Sequence, residues 1–198
     1  MIDIIKYGEF KPVGKQKKKH QIILTHTSRN INDYLQSLKF RYNGDFKRIP
    51  NYIITREGKV IQLLGNTEHS EYFKDPNINR NSIIISLENL GWLQKEPLTD
   101  HYINWIGDIY KGNVFEKKWR DYFFWHPYTD IQMEKTANLC KDLSNRFNIQ
   151  LKCVGHNTKV KGVESFLGII TRSNFDEFAA DLSPAFDFEK FNKLLENE

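Results

Sequence analysis

Apolar residues along this chain fall into two kinds of pattern. Short unbroken runs occur at 21–25 (QIILT), 52–55, 60–64, within 81–91 (NSIIISLENLG) and at 151–154. Runs of this length, bounded by turn residues, read as strands, and the strongest of them, 81–91, reads as a central strand covered on both faces. Other segments repeat apolar residues at helical spacing. Ile31, Leu35, Leu38 and Tyr42 predict a helix over 31–42, with Ser28 or Asn30 as its cap and Gly44 past its end. Met133, Thr136, Ala137, Cys140, Leu143 and Phe147 predict a second helix over 130–147, and Thr129 with Gln132 has the spacing of a capping box. Phe186, Phe188, Phe191, Leu194 and Leu195 predict a third over 184–196. Arg56, Glu57 and Gly58 lie between two strand-like runs, which is a hairpin signal. Strands alternating with helices predict an α/β fold: a single domain with a central mixed β-sheet flanked by helices. There is no internal repeat and no linker that would split it.

Two stretches stand outside this pattern. Residues 1–20 are polar, with Pro12 and lysines from Lys15 to Lys19, and are expected to form a basic N-terminal arm before a folded domain at 21–198. Residues 92–128 carry all four tryptophans and two histidines, His101 and His126. They read as an aromatic-rich insertion, a hairpin lying over one face. Such a cluster is either a satellite of the core or an aromatic wall for a ligand, with Trp92 as a candidate contact.

Composition narrows the class. Hydrophobic content of 39% and charged content of 27% suit a soluble globular chain. No apolar stretch is long enough to span a membrane, and the N-terminus lacks the apolar core of a signal peptide, so cytoplasmic synthesis without membrane insertion is expected. Cys140 and Cys153 read as buried free thiols. The formal charge of +4 lies largely in the lysine run, which is either a solvated tail or an attraction to an anionic polymer. No nucleic-acid motif is present, and a monomer is expected.

Of the six histidines, His26 and His156 each stand just past a predicted strand. Side chains converge at that edge of an α/β sheet, and ligands bind there. Asp181, ahead of a Leu-Ser-Pro turn, adds a carboxylate. Two imidazoles and one carboxylate with an open fourth position make a catalytic zinc arrangement. By spacing alone the pattern is not specific, and ordinary surface or core roles stay open.

Several motifs then agree in order. IILTHTS carries His26, NYIITREGKVIQLL carries Asn51 and the hairpin, His69 follows, NSIIISLENLG forms the apolar strand, and VGHN and DLSPAFDFEKF carry His156 and Asp181. With these the chain resembles the zinc-dependent N-acetylmuramoyl-L-alanine amidases, a group that includes phage amidase lysozymes, anhydromuropeptide amidases and peptidoglycan recognition proteins. The resemblance runs from Ile22 to Phe191. It implies that His26, His156 and Asp181 hold Zn2+, that Asn51 and His69 line the substrate cleft, and that peptidoglycan or a muropeptide is the substrate. It implies hydrolysis of the amide between N-acetylmuramic acid and L-alanine, the metal polarising the carbonyl and acidifying a water. Without a signal peptide, two settings follow: a lysin released to the cell wall as phage lysins are, or a cytoplasmic recycling enzyme.

The chain departs from that family at three positions. Ser86 stands where many members place a Glu, Pro50 where others place a Tyr, and Ala179 where a Lys is common. Glu88, two residues beyond Ser86 on the same strand face, is the nearest substitute base. Arg172, ahead of Lys159 and Lys161, is the substitute for the missing Lys in stabilising an oxyanion. These departures keep a rival open: a binding module on the same fold that holds muropeptides without turnover.

Overall fold

Strands that are apolar on both faces need cover on both, and the chain supplies it. The computed structural model describes residues 2–197. In chain order the strands and helices are β1 (Ile4–Lys6), β2 (Gly14–Lys15), β3 (Gln21–His26), α1 (Ile31–Phe40), β4 (Tyr52–Ile54), β5 (Val60–Gln62), β6 (Glu68–His69), α2 (Pro76–Asn81), β7 (Ser82–Leu87), β8 (Trp92–Lys95), β9 (Tyr102–Ile103), β10 (Ile109–Tyr110), β11 (Phe115–Trp119), β12 (Tyr122–Trp125), α3 (Asp130–Phe147), β13 (Gly168–Thr171) and α4 (Phe188–Glu196). Among the described residues the main sheet has six strands in the order β1-β5-β4-β7-β3-β13. β4 and β5 form the expected antiparallel hairpin, while β4, β7, β3 and β13 run parallel in register, so the sheet is mixed.

Period-two alternation assigns the faces. Ile22, Leu24, Tyr52, Ile54, Ile83, Ile85, Leu87 and Ile169 pack with Met133, Ala137, Cys140, Leu143, Phe191 and Leu195 of α3 and α4. Ile53 and Ile61 turn to the opposite face, under Tyr34 and Leu38 of α1. Ile23 and Ile170 share that second face with Ile78 of α2 and Val163. The helix ends are set by side chains: Asn30 accepts from the Asp33 amide and Thr129 from the Gln132 amide, and Asn148 closes α3 in a left-handed conformation. The capping box at Thr129 forms only by half. Gln132 sends its amide instead to the carbonyls of Ile54 and Glu88, tying α3 to the ends of β4 and β7.

Three expectations are corrected. Residues 1–20 are not a free arm: β1 pairs parallel with β5, and β2 pairs with β6. Lys19, read as part of a solvated run, is buried, and its ammonium donates to the carbonyls of Arg80 at 2.9 Å and Ser82 at 3.1 Å. Second, residues 151–154 are not the last strand. Only Cys153 makes a bridge, to Ile169, and the edge position beside β3 belongs to β13. Third, the aromatic insertion is more than a hairpin: β8 to β12 form a five-stranded antiparallel sheet in the order β10-β9-β8-β12-β11. Trp92 stacks on Tyr122 there with centroids 4.4 Å apart.

Two buried polar groups hold this architecture together. The Glu88 carboxylate, just past β7, accepts from the Ile31 amide at 2.8 Å and the Arg56 amide at 3.0 Å. It thereby joins the first turn of α1 and the β4–β5 turn to the end of the central strand. With each oxygen already on a backbone donor, Glu88 is a clamp in the fold and not a free base. His126 docks the inserted sheet: its amide donates to the Gly91 carbonyl, its Nδ1 faces the Leu90 amide, and its ring lies edge-on to Tyr110. Burial, then the Arg56 guanidinium, push its pKa down to about 3.

Two outcomes are expected. Glu88→Gln keeps one acceptor and turns an amide N–H toward the second backbone donor, so unfolding free energy in urea should fall by about 1–3 kcal/mol; wild-type stability would mean that the clamp carries nothing. The depressed pKa of His126 means that the unfolded chain binds more protons between pH 6.5 and about 3. Stability is therefore full above that window and falls on acidification through it, by up to ~1.4 kcal/mol per pH unit. Urea midpoints across this range should show a shallower slope in His126→Gln; an unchanged slope would assign the acid sensitivity elsewhere.

Candidate active site

His26 is the last residue of β3, at the edge where the parallel strands end. Its ring is buried and packs against the backbone of Gly91: a Cβ there would come within 3.1 Å of His26 Cε1, and Gly91 has φ +80°. Both facts favour glycine at that position. Burial lowers the imidazole pKa; Asp181 opposes this and Arg172 adds to it, so the ring is neutral at pH 7. His26 Nδ1 is buried with no hydrogen-bond partner among the described residues.

Asp181 faces it. His26 Nε2 lies 4.0 Å from Asp181 Oδ1, and the same oxygen lies 3.8 Å from Arg172 Nη1. Arg172 directly follows β13 and is oriented by Asp176, whose Oδ2 receives Nε at 3.2 Å and Nη2 at 3.0 Å. Burial works against its charge, but Asp181, Tyr72 and Asp176 outweigh burial and raise its pKa. Ser173 fixes the spacing between the two segments: its amide donates to the Asp181 carbonyl at 2.9 Å, and its hydroxyl donates to the same carbonyl.

His156 does not join them. It stands in an exposed loop, its Nδ1 engaged by the amide and hydroxyl of Thr158. Asn174 holds the His156 carbonyl at 2.7 Å, so the backbone is near the site while the ring is turned to solvent. Among the described residues no three His, Cys, Asp or Glu side chains are placed to hold a metal ion. The zinc implied by the resemblance therefore fits in two donors, His26 and Asp181, and not in the third.

The remaining expected contacts are also placed. Asn51 is fully occupied inside the fold: its amide nitrogen donates to the Gly65 and Glu68 carbonyls and its oxygen accepts from the Ile84 amide. His69 lies on β6 against Gly14, where its Nε2 would stand 2.7 Å from an added Cβ. Trp92 is spent on Tyr122 within the inserted sheet.

The open space beside His26 is a cleft of about 160 Å³. Its walls include Arg29, Arg41, Arg48 and Arg172, with Tyr34, Tyr72 and Trp105, and no carboxylate. Arg29, Arg41 and Arg48 make no ion pair among the described residues. Trp105 reaches in from the inserted sheet, donating from Nε1 to the Ser28 carbonyl at 2.8 Å while Arg29 lies 4.8 Å over its ring. Below, Thr25 joins the Tyr72 hydroxyl at 3.0 Å and the Ser86 hydroxyl at 3.2 Å. Arg48, Tyr72 and Arg172 also line a neighbouring groove of about 500 Å³. Sequence reasoning missed Trp105, Tyr72 and the arginines other than Arg172. Only the position of Trp105 within the aromatic stretch pointed to it, since the others converge from three separate segments: the turn before α1, the stretch after it and the stretch after β6.

The chain has relatives of known family and fold. Residues 15–165 match the sequence profile of the family described as N-acetylmuramoyl-L-alanine amidase. No curated protein matches the chain in sequence. Among solved structures, the amidase LysC from Clostridium intestinale superposes with a TM-score of 0.61 at 13% identity, covering 100% of both chains. A mutant endolysin from Bacillus subtilis gives 0.56 at 16% identity, over 98% of this chain and 99% of its own. The E. coli amidase AmiD, in complex with anhydro-N-acetylmuramic acid-L-Ala-D-γ-Glu-L-Lys, gives 0.53 at 15% identity, over 94% of this chain and 60% of that one. At these identities the superpositions establish a shared fold, and the profile match across most of the sequence establishes the family: the chain belongs to the N-acetylmuramoyl-L-alanine amidases.

Proposed function

We propose that this protein acts on peptidoglycan or its muropeptides, seating the peptide stem in the arginine-lined cleft beside His26 and Asp181. The observation that carries the reading is the cleft itself, with four guanidinium-bearing residues in its wall and no acid among them. A stem joined through the side chain of D-Glu, as in the AmiD complex, keeps a free α-carboxylate at each such residue. Guanidinium forks recognise carboxylates by paired hydrogen bonds. Trp105 adds a flat apolar face on which a sugar or peptide can rest.

The reaction the family carries is hydrolysis of the amide between N-acetylmuramic acid and L-alanine, and family membership supports it here. Within that reaction this chain's residues have definite capacities. Neutral His26 can accept a proton at an unpaired nitrogen, and Arg172 offers a fixed cation to a developing oxyanion. The zinc-dependent form of the reaction asks for a third donor, which His156 would supply only by turning its ring inward. That observation favours a second reading: a module that binds muropeptides without cutting them. Action on the cell wall as a lysin fits the endolysin relatives, and recycling of released muropeptides fits the same chemistry.

The two readings part in one assay. Purified protein is incubated with defined muropeptides, with zinc or with chelator, and released stems are followed by mass spectrometry while binding is followed by calorimetry. Binding is expected, and Arg41→Ala combined with Arg48→Ala should weaken it about tenfold, the equivalent of roughly 1.4 kcal/mol. Stem release assigns hydrolysis, whereas binding without release assigns the module. Neither binding nor release would sink the peptidoglycan reading.

A further inference from the structure

We propose that the corner opposite His26 and Asp181 is closed by the Arg172 guanidinium and not by a metal ion, so that this family member keeps the site in a zinc-free form. The sheet places the three groups together. β3 and β13 are parallel neighbours with Leu24 beside Thr171, so Arg172 leaves the sheet next to Thr25, one position before His26. Both side chains emerge at the same edge and converge on one atom: Asp181 Oδ1 is 4.0 Å from His26 Nε2 and 3.8 Å from Arg172 Nη1. The carboxylate oxygen that a cation would take is already shared with an internal cation.

That cation is not free to swing away. Asp176 grips Nε and Nη2, and Ser173, the next residue, is bound through both its amide and its hydroxyl to the Asp181 backbone. A guanidinium does not lose its proton in a protein, so it cannot become a metal donor, and its charge opposes a divalent ion at the same carboxylate. The remaining imidazole stays outside. His156 is turned to solvent with Thr158 on its Nδ1, while Asn174 of the same turn as Arg172 holds its carbonyl. The Arg172-Ser173-Asn174 turn thus does two things: it inserts a permanent cation into the site and keeps the His156 backbone in place at its margin. The cluster that results is a carboxylate paired with a fixed cation beside a neutral imidazole.

This inference stands apart from the substrate reading, because metal content is read without turnover. The full chain is stripped with chelator, dialysed against excess zinc, desalted and measured by plasma mass spectrometry, with melting followed in parallel. Wild-type protein should retain far less than one zinc per chain, and zinc should leave its melting temperature unchanged. Arg172→His supplies the missing donor, so it should retain about one zinc per chain and melt higher with zinc present; adding His26→Ala should abolish both effects. Stoichiometric zinc in the wild type, lost in His26→Ala, would overturn the proposal, and its loss in His156→Ala as well would return that histidine to the site. A folded Arg172→His, judged by circular dichroism, that takes no zinc would also overturn it, since Arg172 would then not hold the metal corner. Should that variant fail to fold, the wild-type measurement decides the question alone.

Discussion

The site depends on the parallel pairing of β3 with β13. Four backbone positions in register, from Gly168 beside Gln21 to Thr171 beside Leu24, set two chain segments far apart in sequence to end at one sheet edge. From that edge His26 and Arg172 both come to within 4.0 Å of Asp181 Oδ1. Ser173 then locks the Asp181 segment against the end of β13. Had the edge strand been formed by 151–154, His156 would stand near that position. The choice of edge strand therefore decides whether an imidazole or a guanidinium faces the carboxylate, and with it what chemistry is open to the cleft.

Around this edge the fold uses buried polar side chains as ties between elements. Glu88 joins β7 to α1 and the hairpin turn, Gln132 joins α3 to β4 and β7, Asn51 bridges the Gly65–Glu68 turn to β7, and Lys19 closes the far end on Arg80 and Ser82. Each answers backbone donors or acceptors that helix termini, turns and strands leave unpaired, and an unanswered buried group costs about 1–3 kcal/mol. Such residues carry the polar chemistry of catalytic groups, and some stand next to strand ends at the site edge, so in sequence they resemble them. Glu88 is the clear instance. Its position two residues past Ser86 suggested a base, while its carboxylate is consumed by two amides.

Much of the fold was legible because local periodicity and global burial agree in it. The apolar runs at β3, β4, β5 and β7 and the helical stripes of α1, α3 and α4 each state one answer. The run at 151–154 was misleading for a physical reason: apolar content alone does not distinguish a sheet strand from an extended segment that packs beside one. β13 was hidden because its Gly168 sits at φ +149° against the backbone of Gln150 and Lys152, and its run is only four residues long. The N-terminal strands were hidden because a two- or three-residue edge strand needs only a partner's free hydrogen bonds, not a hydrophobic pattern of its own.

By itself the sequence determined an α/β domain of the N-acetylmuramoyl-L-alanine amidase family, with His26 at a strand end and Asp181 ahead of its turn. These follow from short-range patterns, which the chain carries in neighbouring residues. Tertiary structure alone decided which strand lies beside β3, that Arg172 and not His156 reaches Asp181, and that arginines from three segments share one cleft with Trp105. Those are consequences of long-range register and of where buried charges find partners. No window along the chain contains that information, because the groups involved meet only after the sheet has closed.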